Sequence, residues 1–210
     1  MMSRSFFARM IVFCVFASCV CSDRANAELM KVWLDVQDPQ SHRSLAELSP
    51  GQTFNLVAMV EDVREEPLGV FAAFMDIEYA PAHATVAQSL VHRSELYPNY
   101  VGVLEDGIFS SPGLLDEIGA FGTLERPGTG PHKLFHVSMQ AGDQLGELPF
   151  SLDYADNAVS EILLYGRDDI VPFSDVTLQG VTVSVVPEPS SCAMLLCGVV
   201  CVMRRRRRTT

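Results

Sequence analysis

Asp76 and Glu78 are the first candidates for chemistry. They stand two residues apart in the run Phe71 to Tyr79. In a strand that spacing puts both carboxylates on one face about 6.6 Å apart, within the separations at which glycosidases hold their paired carboxylates. Acid catalysis also asks for an apolar pocket to raise one pKa. The adjacent sequence supplies none, so the competing reading is a solvated outer face. His132 and His136 are four apart, which presents two metal ligands together on a helix. Leu134 and Val137 mark this segment as strand, where the two imidazoles stand about 13 Å apart and share no metal. Two acidic loops, Glu61-Asp62 with Glu65-Glu66 and Asp168-Asp169 with Asp175, offer oxygen ligands for calcium without the EF-hand spacing; the alternative is plain solvation. No Gly-x-Ser-x-Gly elbow occurs. Gly128-Thr129-Gly130 runs into Pro131-His132-Lys133 and reads as a turn, because a phosphate loop needs a third glycine and a helix. Trp33, Tyr97 and Tyr100 can stack on sugar rings or close a core. No catalytic residue is assigned, and the chain is expected not to be an enzyme.

The elements that must carry these residues read as strands. Period-2 alternation recurs in runs of about five to nine residues with no 3.6-residue apolar stripe. Met30, Val32, Leu34 and Val36 form one such face; Phe54, Leu56, Ala58 and Val60 another; Phe71, Ala73, Met75, Ile77 and Tyr79 a third, with Asp76 and Glu78 opposite. Further strands are expected at 85–90, 114–121, 134–141, 147–154, 161–165 and 176–186, with Ala141-Gly142-Asp143 as a tight turn. About nine short strands in residues 28–186 predict an all-β domain, a two-sheet sandwich or jelly roll. The longest irregular stretch, 91–113, has the length of a functional loop.

Charge and cysteine are distributed by position. Of 210 residues, six are cysteines, and all lie at the ends: Cys14, Cys19, Cys21, Cys192, Cys197 and Cys201. The middle therefore has no disulfide framework and no Cys nucleophile. Residues 28–186 carry seven Lys/Arg against 24 Asp/Glu, a formal −17. Such a domain repels phosphate backbones, so no nucleic-acid partner is expected.

The two ends read as addresses. Residues 1–27 combine Arg4 and Arg9, an apolar run from Met10 to Cys21, and Ala25-Asn26-Ala27, the layout of a helical secretory signal peptide cut after Ala27. Twelve apolar residues rise about 18 Å, short of a hydrocarbon core of about 30 Å. Phe16-Ala17-Ser18-Cys19 offers a rival, a lipoprotein box anchored at Cys19. At the far end, Pro187-Glu188-Pro189, an apolar stretch from Cys192 to Met203, and Arg204, Arg205, Arg206, Arg207 and Arg208 follow in order. This 187–210 segment resembles the PEP-CTERM sorting signal of Gram-negative bacteria. The resemblance implies an exosortase-type protease that recognises Pro187, Glu188 and Pro189, cuts nearby and releases the protein to the envelope or extracellular matrix. The apolar stretch would be a short helix serving as a transient inner-membrane anchor, with the arginines held at the cytoplasmic face. An ordinary tail anchor is the plainer alternative.

A second resemblance lies in the strands. Pro50-Gly51-Gln52-Thr53-Phe54-Asn55-Leu56, Gly69-Val70-Phe71-Ala72-Ala73 and Ile77-Glu78-Tyr79-Ala80-Pro81-Ala82 resemble the opening half of a cohesin domain, with Ala80 where the family places Asp. The resemblance implies a nine-stranded jelly roll that binds a dockerin-like protein or sits beside carbohydrate-binding modules. The expected function is that of an exported, non-catalytic envelope or matrix protein whose sandwich binds a protein or an exopolysaccharide. The alternative is a secreted carbohydrate-active enzyme using its surface carboxylates.

Overall fold

Alternation in the sequence translates into two strand faces. In β1 (Met30–Gln37), Met30, Val32, Leu34 and Val36 are buried, as are Phe54, Leu56, Ala58 and Val60 in β3 (Thr53–Asp62). In this computed structural model, which describes residues 28–100, 109, 111–156 and 161–188, the other strands are β2 (Glu47–Leu48), β4 (Val70–Tyr79), β5 (Ala84–Arg93), β6 (Leu114–Phe121), β7 (His132–Ala141), β8 (Gly146–Tyr154), β9 (Leu163–Leu164), β10 (Val176–Gln179) and β11 (Val181–Val185). One 3-10 turn, Phe173–Asp175, precedes β10. The first sheet runs β10-β1-β3-β7-β5; the second runs β2-β11-β8-β4-β6, with β9 paired to the start of β4. The domain is an all-β sandwich.

The buried faces of the two sheets meet in a shared core. Phe54 of the first sheet and Phe150 of the second touch edge to face, centroids 6.0 Å apart, the preferred geometry for aromatic pairs. Each fully buried side chain of this size contributes about 1.5–3 kcal/mol. Tyr97, which the sequence left open between a sugar-stacking loop aromatic and a core residue, is fully buried in this core.

Among the described residues there are eleven strands where about nine were expected, two of the eleven being only two residues long. The segment expected as one strand over 176–186 is two, because the chain changes sheet at Gly180: β10 pairs in parallel with β1, and β11 pairs antiparallel with β8. A Cβ at Gly180 would collide with the Phe150 carbonyl oxygen, so only glycine passes here. The two-residue β2 is too short to show any periodicity, and the strand expected over 161–165 narrows to Leu163–Leu164. A bulge interrupts β4 against β6 between Met75 and Ile77, and the register of β5 against β7 shifts between Val86 and Val91.

A single carboxylate closes the loop between β3 and β4. Asp62, 5% exposed, accepts from Arg64 Nε at 2.8 Å and Nη2 at 2.6 Å, and from the backbone N–H groups of Arg64, Leu68 and Gly69. Arg64 Nη2 also donates to the Tyr165 carbonyl at 2.8 Å, tying this loop to the chain after β9. Burial pushes the Asp62 carboxyl up, but Arg64 and the three amides outweigh it and hold the group below the usual carboxylate range.

Among the described residues no helix is long and apolar enough to cross a membrane. Ala25, Ala27, Cys19, Pro189, the apolar stretch and Arg204 to Arg208 lie outside the described residues. Pro187 and Glu188 follow β11 and are exposed.

Candidate functional site

The second sheet has one sign of charge. Its strands β2, β4, β6, β8, β9 and β11 contain no Lys or Arg but seven carboxylates: Glu47, Asp76, Glu78, Asp116, Glu117, Glu147 and Asp153. In β4, Ala73, Met75 and Ile77 enter the shared core, which turns Ala72, Phe74, Asp76 and Glu78 to the outer face. That face is divided along its length. Ala72 and Phe74 pack with Ala155, Phe71, Phe121 and Leu163 in a small second apolar cluster at one end, and the carboxylates follow.

Asp76 and Glu78 share a face as their spacing required, but they are not equivalent. Glu78 is exposed and solvated. Asp76 is half-buried, and burial raises its carboxyl to about 6, the nearby charges of Asp116, Asp156 and Glu117 adding to the effect. One carboxylate oxygen each from Asp76, Asp116 and Asp156 lie within 4.8 Å of one another, and these three are the group that can hold a metal among the described residues.

A bulge assembles this trio. Met75 pairs with Ile118 and Ile77 with Leu115, so Asp116 and Glu117 both stand opposite the single residue Asp76. Leu115 and Ile118 both enter the core; between them Asp116 is half-buried and Glu117 is buried. Glu117 has a left-handed backbone, φ 52°, and its N–H donates to Asp76 Oδ1 at 2.8 Å. Its side chain is only 2% exposed, with Oε1 buried and unpaired among the described residues. In the sequence this was visible only as a break in alternation, two acidic residues between Leu115 and Ile118.

The other candidates are placed differently. Asp62 is occupied by Arg64 and backbone amides, and Asp169 pairs with Arg167 at 2.7 Å; neither acidic loop gathers three ligands. His132 and His136 both lie in β7, but a bulge opposite Ala58 and Met59 sets them on different faces. His132 is in register with core-facing Val60, and His136 with Val57. His136 stacks on His92 of β5, centroids 4.7 Å and planes 13° apart, and burial with the charges of Lys133, His92 and His42 lowers its pKa to about 4. Trp33 is half-buried on the outer face of the first sheet. Tyr100 is 37% exposed beneath the Arg93 guanidinium, 4.9 Å from the ring centroid. Gly128 and Gly130 have φ of 87° and 90° in an open turn, as their sequence implied. Two cavities, about 390 Å³ beside Phe71, Leu163 and Tyr165 and about 280 Å³ beside Tyr79, Pro81 and Pro112, contain none of the candidate carboxylates Asp76, Glu78, Asp116 and Asp156.

No family model matches the chain, and no curated protein matches it in sequence. Solved structures match in shape. The chain is similar to the cohesin module of a family 33 glycoside hydrolase from Clostridium perfringens, at 12% identity and a TM-score of 0.52, over 77% of this chain and 98% of that one. It is similar also to a cohesin–dockerin complex from Clostridium thermocellum, at 10% identity and a TM-score of 0.52, over 78% and 97%. The fold is a cohesin fold. The cohesin-like segments legible in sequence begin where strands begin: Thr53 opens β3 after Pro50-Gly51, and Val70 opens β4 after Gly69. At the turn after Tyr79, where cohesins place Asp, the N–H groups of His83 and Ala84 donate to the Ala80 carbonyl. The backbone closes the turn without the missing carboxylate.

Proposed function

We propose that this chain is an exported, non-catalytic binding protein whose cohesin-like sandwich captures a protein partner on the outer face of its second sheet. The observation that carries this reading is the single sign of that sheet: seven carboxylates and no cation on its strands. A face of this kind raises the local concentration of basic surfaces and repels acidic ones. The apolar cluster of Phe71, Phe74 and Phe121 lies beside it, giving the mixed apolar and charged character of a protein interface. A dockerin-like module with a basic face is the partner class, by analogy with the dockerin in the Clostridium thermocellum complex. An exopolysaccharide is the second ligand class, supported by half-buried Trp33 on the opposite sheet.

Export follows from the charged, apolar and Ala-x-Ala order of residues 1–27, and sorting from Pro187-Glu188-Pro189, the apolar stretch and the five arginines. An exosortase-type protease is the processing partner, and the envelope or matrix the destination.

A carbohydrate-active enzyme is the competing reading, motivated by carboxylates close enough to work as a pair. Incubating the full chain with a panel of glycosides, a glycan array and a panel of dockerin modules separates the readings. Binding without turnover supports the module. Turnover abolished by Asp76→Asn overturns it.

A further inference from the structure

We propose that Asp76, Asp116 and Asp156 form a calcium site on the outer face of the second sheet, with the buried carboxylate of Glu117 beside it. Three carboxylate oxygens within 4.8 Å of one another fit a cation at their centre. Oxygens bound to calcium at about 2.4 Å cannot be more than about 4.8 Å apart. Asp76 offers its second oxygen, since Oδ1 accepts from the Glu117 N–H.

Glu117 gives the site a feature that an ordinary acidic patch lacks. It is 2% exposed, and its Oε1 has no hydrogen-bond donor among the described residues. With Asp116 it stands opposite Asp76 in the bulge, between core-facing Leu115 and Ile118. Its charge acts on Asp76. A buried carboxylate oxygen without a donor is costly, and here the neighbouring side chains are anionic as well. A dication among them offsets both the unmet oxygen and the mutual repulsion of the trio.

Calcium fits better than magnesium. The three ligands come from β4, β6 and the chain after β8, and Asp156 is exposed while the other two are half-buried. Such an arrangement suits the variable geometry of calcium, with water completing the shell, rather than the near-ideal octahedron of magnesium. With three protein ligands the affinity belongs to the range of extracellular modules, on the order of 0.1–1 mM. The site does not depend on the partner reading, and the partner titration run in EDTA keeps the two separable.

Isothermal titration of calcium chloride into the full chain at neutral pH tests the site, with thermal melts run alongside. The expected result is one saturable site, a melt shifted upward by 10 mM calcium, and an affinity lowered at least tenfold by Asp116→Asn with Asp156→Asn. Asp156→Asn alone, at the exposed position, lowers affinity at least threefold and guards against a fold defect in the pair. Glu117→Gln also weakens binding, whereas Asp168→Asn in the acidic loop leaves it unchanged. The proposal is overturned if no saturable binding occurs up to 10 mM calcium, or if the Asp156 variants bind as wild type does.

Discussion

The N–H of Glu117 donates to Oδ1 of Asp76 at 2.8 Å across a bulge that seats two acidic residues opposite one. The contact fixes Asp76 in place while Asp116, Asp156 and Glu117 surround it with negative charge. The folded state therefore holds the Asp76 proton to higher pH than the unfolded chain does.

This has a sign that can be measured without added calcium. With a folded pKa of about 6 against an ordinary 3.8, the folded state binds more protons between those values, so the Asp76 contribution falls as pH rises from about 4 to about 6 and is level above. Asp76→Asn removes the slope. Urea unfolding in EDTA at pH 4 and pH 6.5 should show the variant gaining on wild type between the two. An unchanged difference contradicts the assignment.

His136 tilts stability the other way. Its pKa falls from 6.5 to about 4, so in that window the unfolded chain binds the proton and the folded one does not. Its contribution is complete above about pH 6.5 and is lost as pH falls toward 4. Nuclear magnetic resonance titration of the His136 imidazole should give a midpoint near 4, raised in His92→Ala by loss of the stacked neighbour. A wild-type midpoint above 6 excludes this.

Asp62→Ala leaves Arg64 without its carboxylate and the amides of Leu68 and Gly69 without an acceptor. Breaking a buried charged network costs about 3 kcal/mol, read as a lower urea midpoint with an unchanged slope. A loss below about 1 kcal/mol contradicts the clamp.

Gly180→Val should destabilise the sandwich by more than an ordinary surface substitution, by at least 2 kcal/mol, because the new Cβ meets the Phe150 carbonyl at the change of sheet. Denaturant unfolding checks it. The sorting signal has its own test. Replacing Pro187 and Pro189 with alanine should leave the C-terminal segment uncleaved and the protein membrane-retained, while both proteins, cut after Ala27, start at Glu28. Release of the variant with wild-type mass contradicts the exosortase reading.

The strands were legible where apolar side chains recur every second residue, most strictly in β1, because burial on one face imposes period 2. In β4 four successive residues, Ala72 to Met75, are buried, and Phe71, read with the core face, packs in the outer cluster. The 176–186 run reads as one strand although its apolar phase slips by one at Gly180, from Val176 and Leu178 to Val181, Val183 and Val185; the Phe150 carbonyl shows why glycine is there. Whether Tyr97 stacks in a loop or closes the core stayed open in the sequence, because neighbours in sequence do not reveal what lies above a loop; the fold buries it. The site was half legible. Asp76 and Glu78 announce themselves by spacing, but the carboxylates that gather around Asp76 are 40 and 80 residues away, and only strand pairing and the bulge bring them near. Asp62 is the converse case: an apparent cation ligand that the fold uses as an acceptor for Arg64 and three amides.

The central claim is that the acidic face of the second sheet binds a protein. Titration of the full chain with a panel of dockerin modules, repeated with Glu78→Lys combined with Asp153→Lys, tests it most directly. The predicted result is one-to-one binding by at least one module, weakened by salt because exposed charges are screened and reduced at least tenfold by the charge reversals. No binding by any module, or binding that the reversals leave intact, would contradict it.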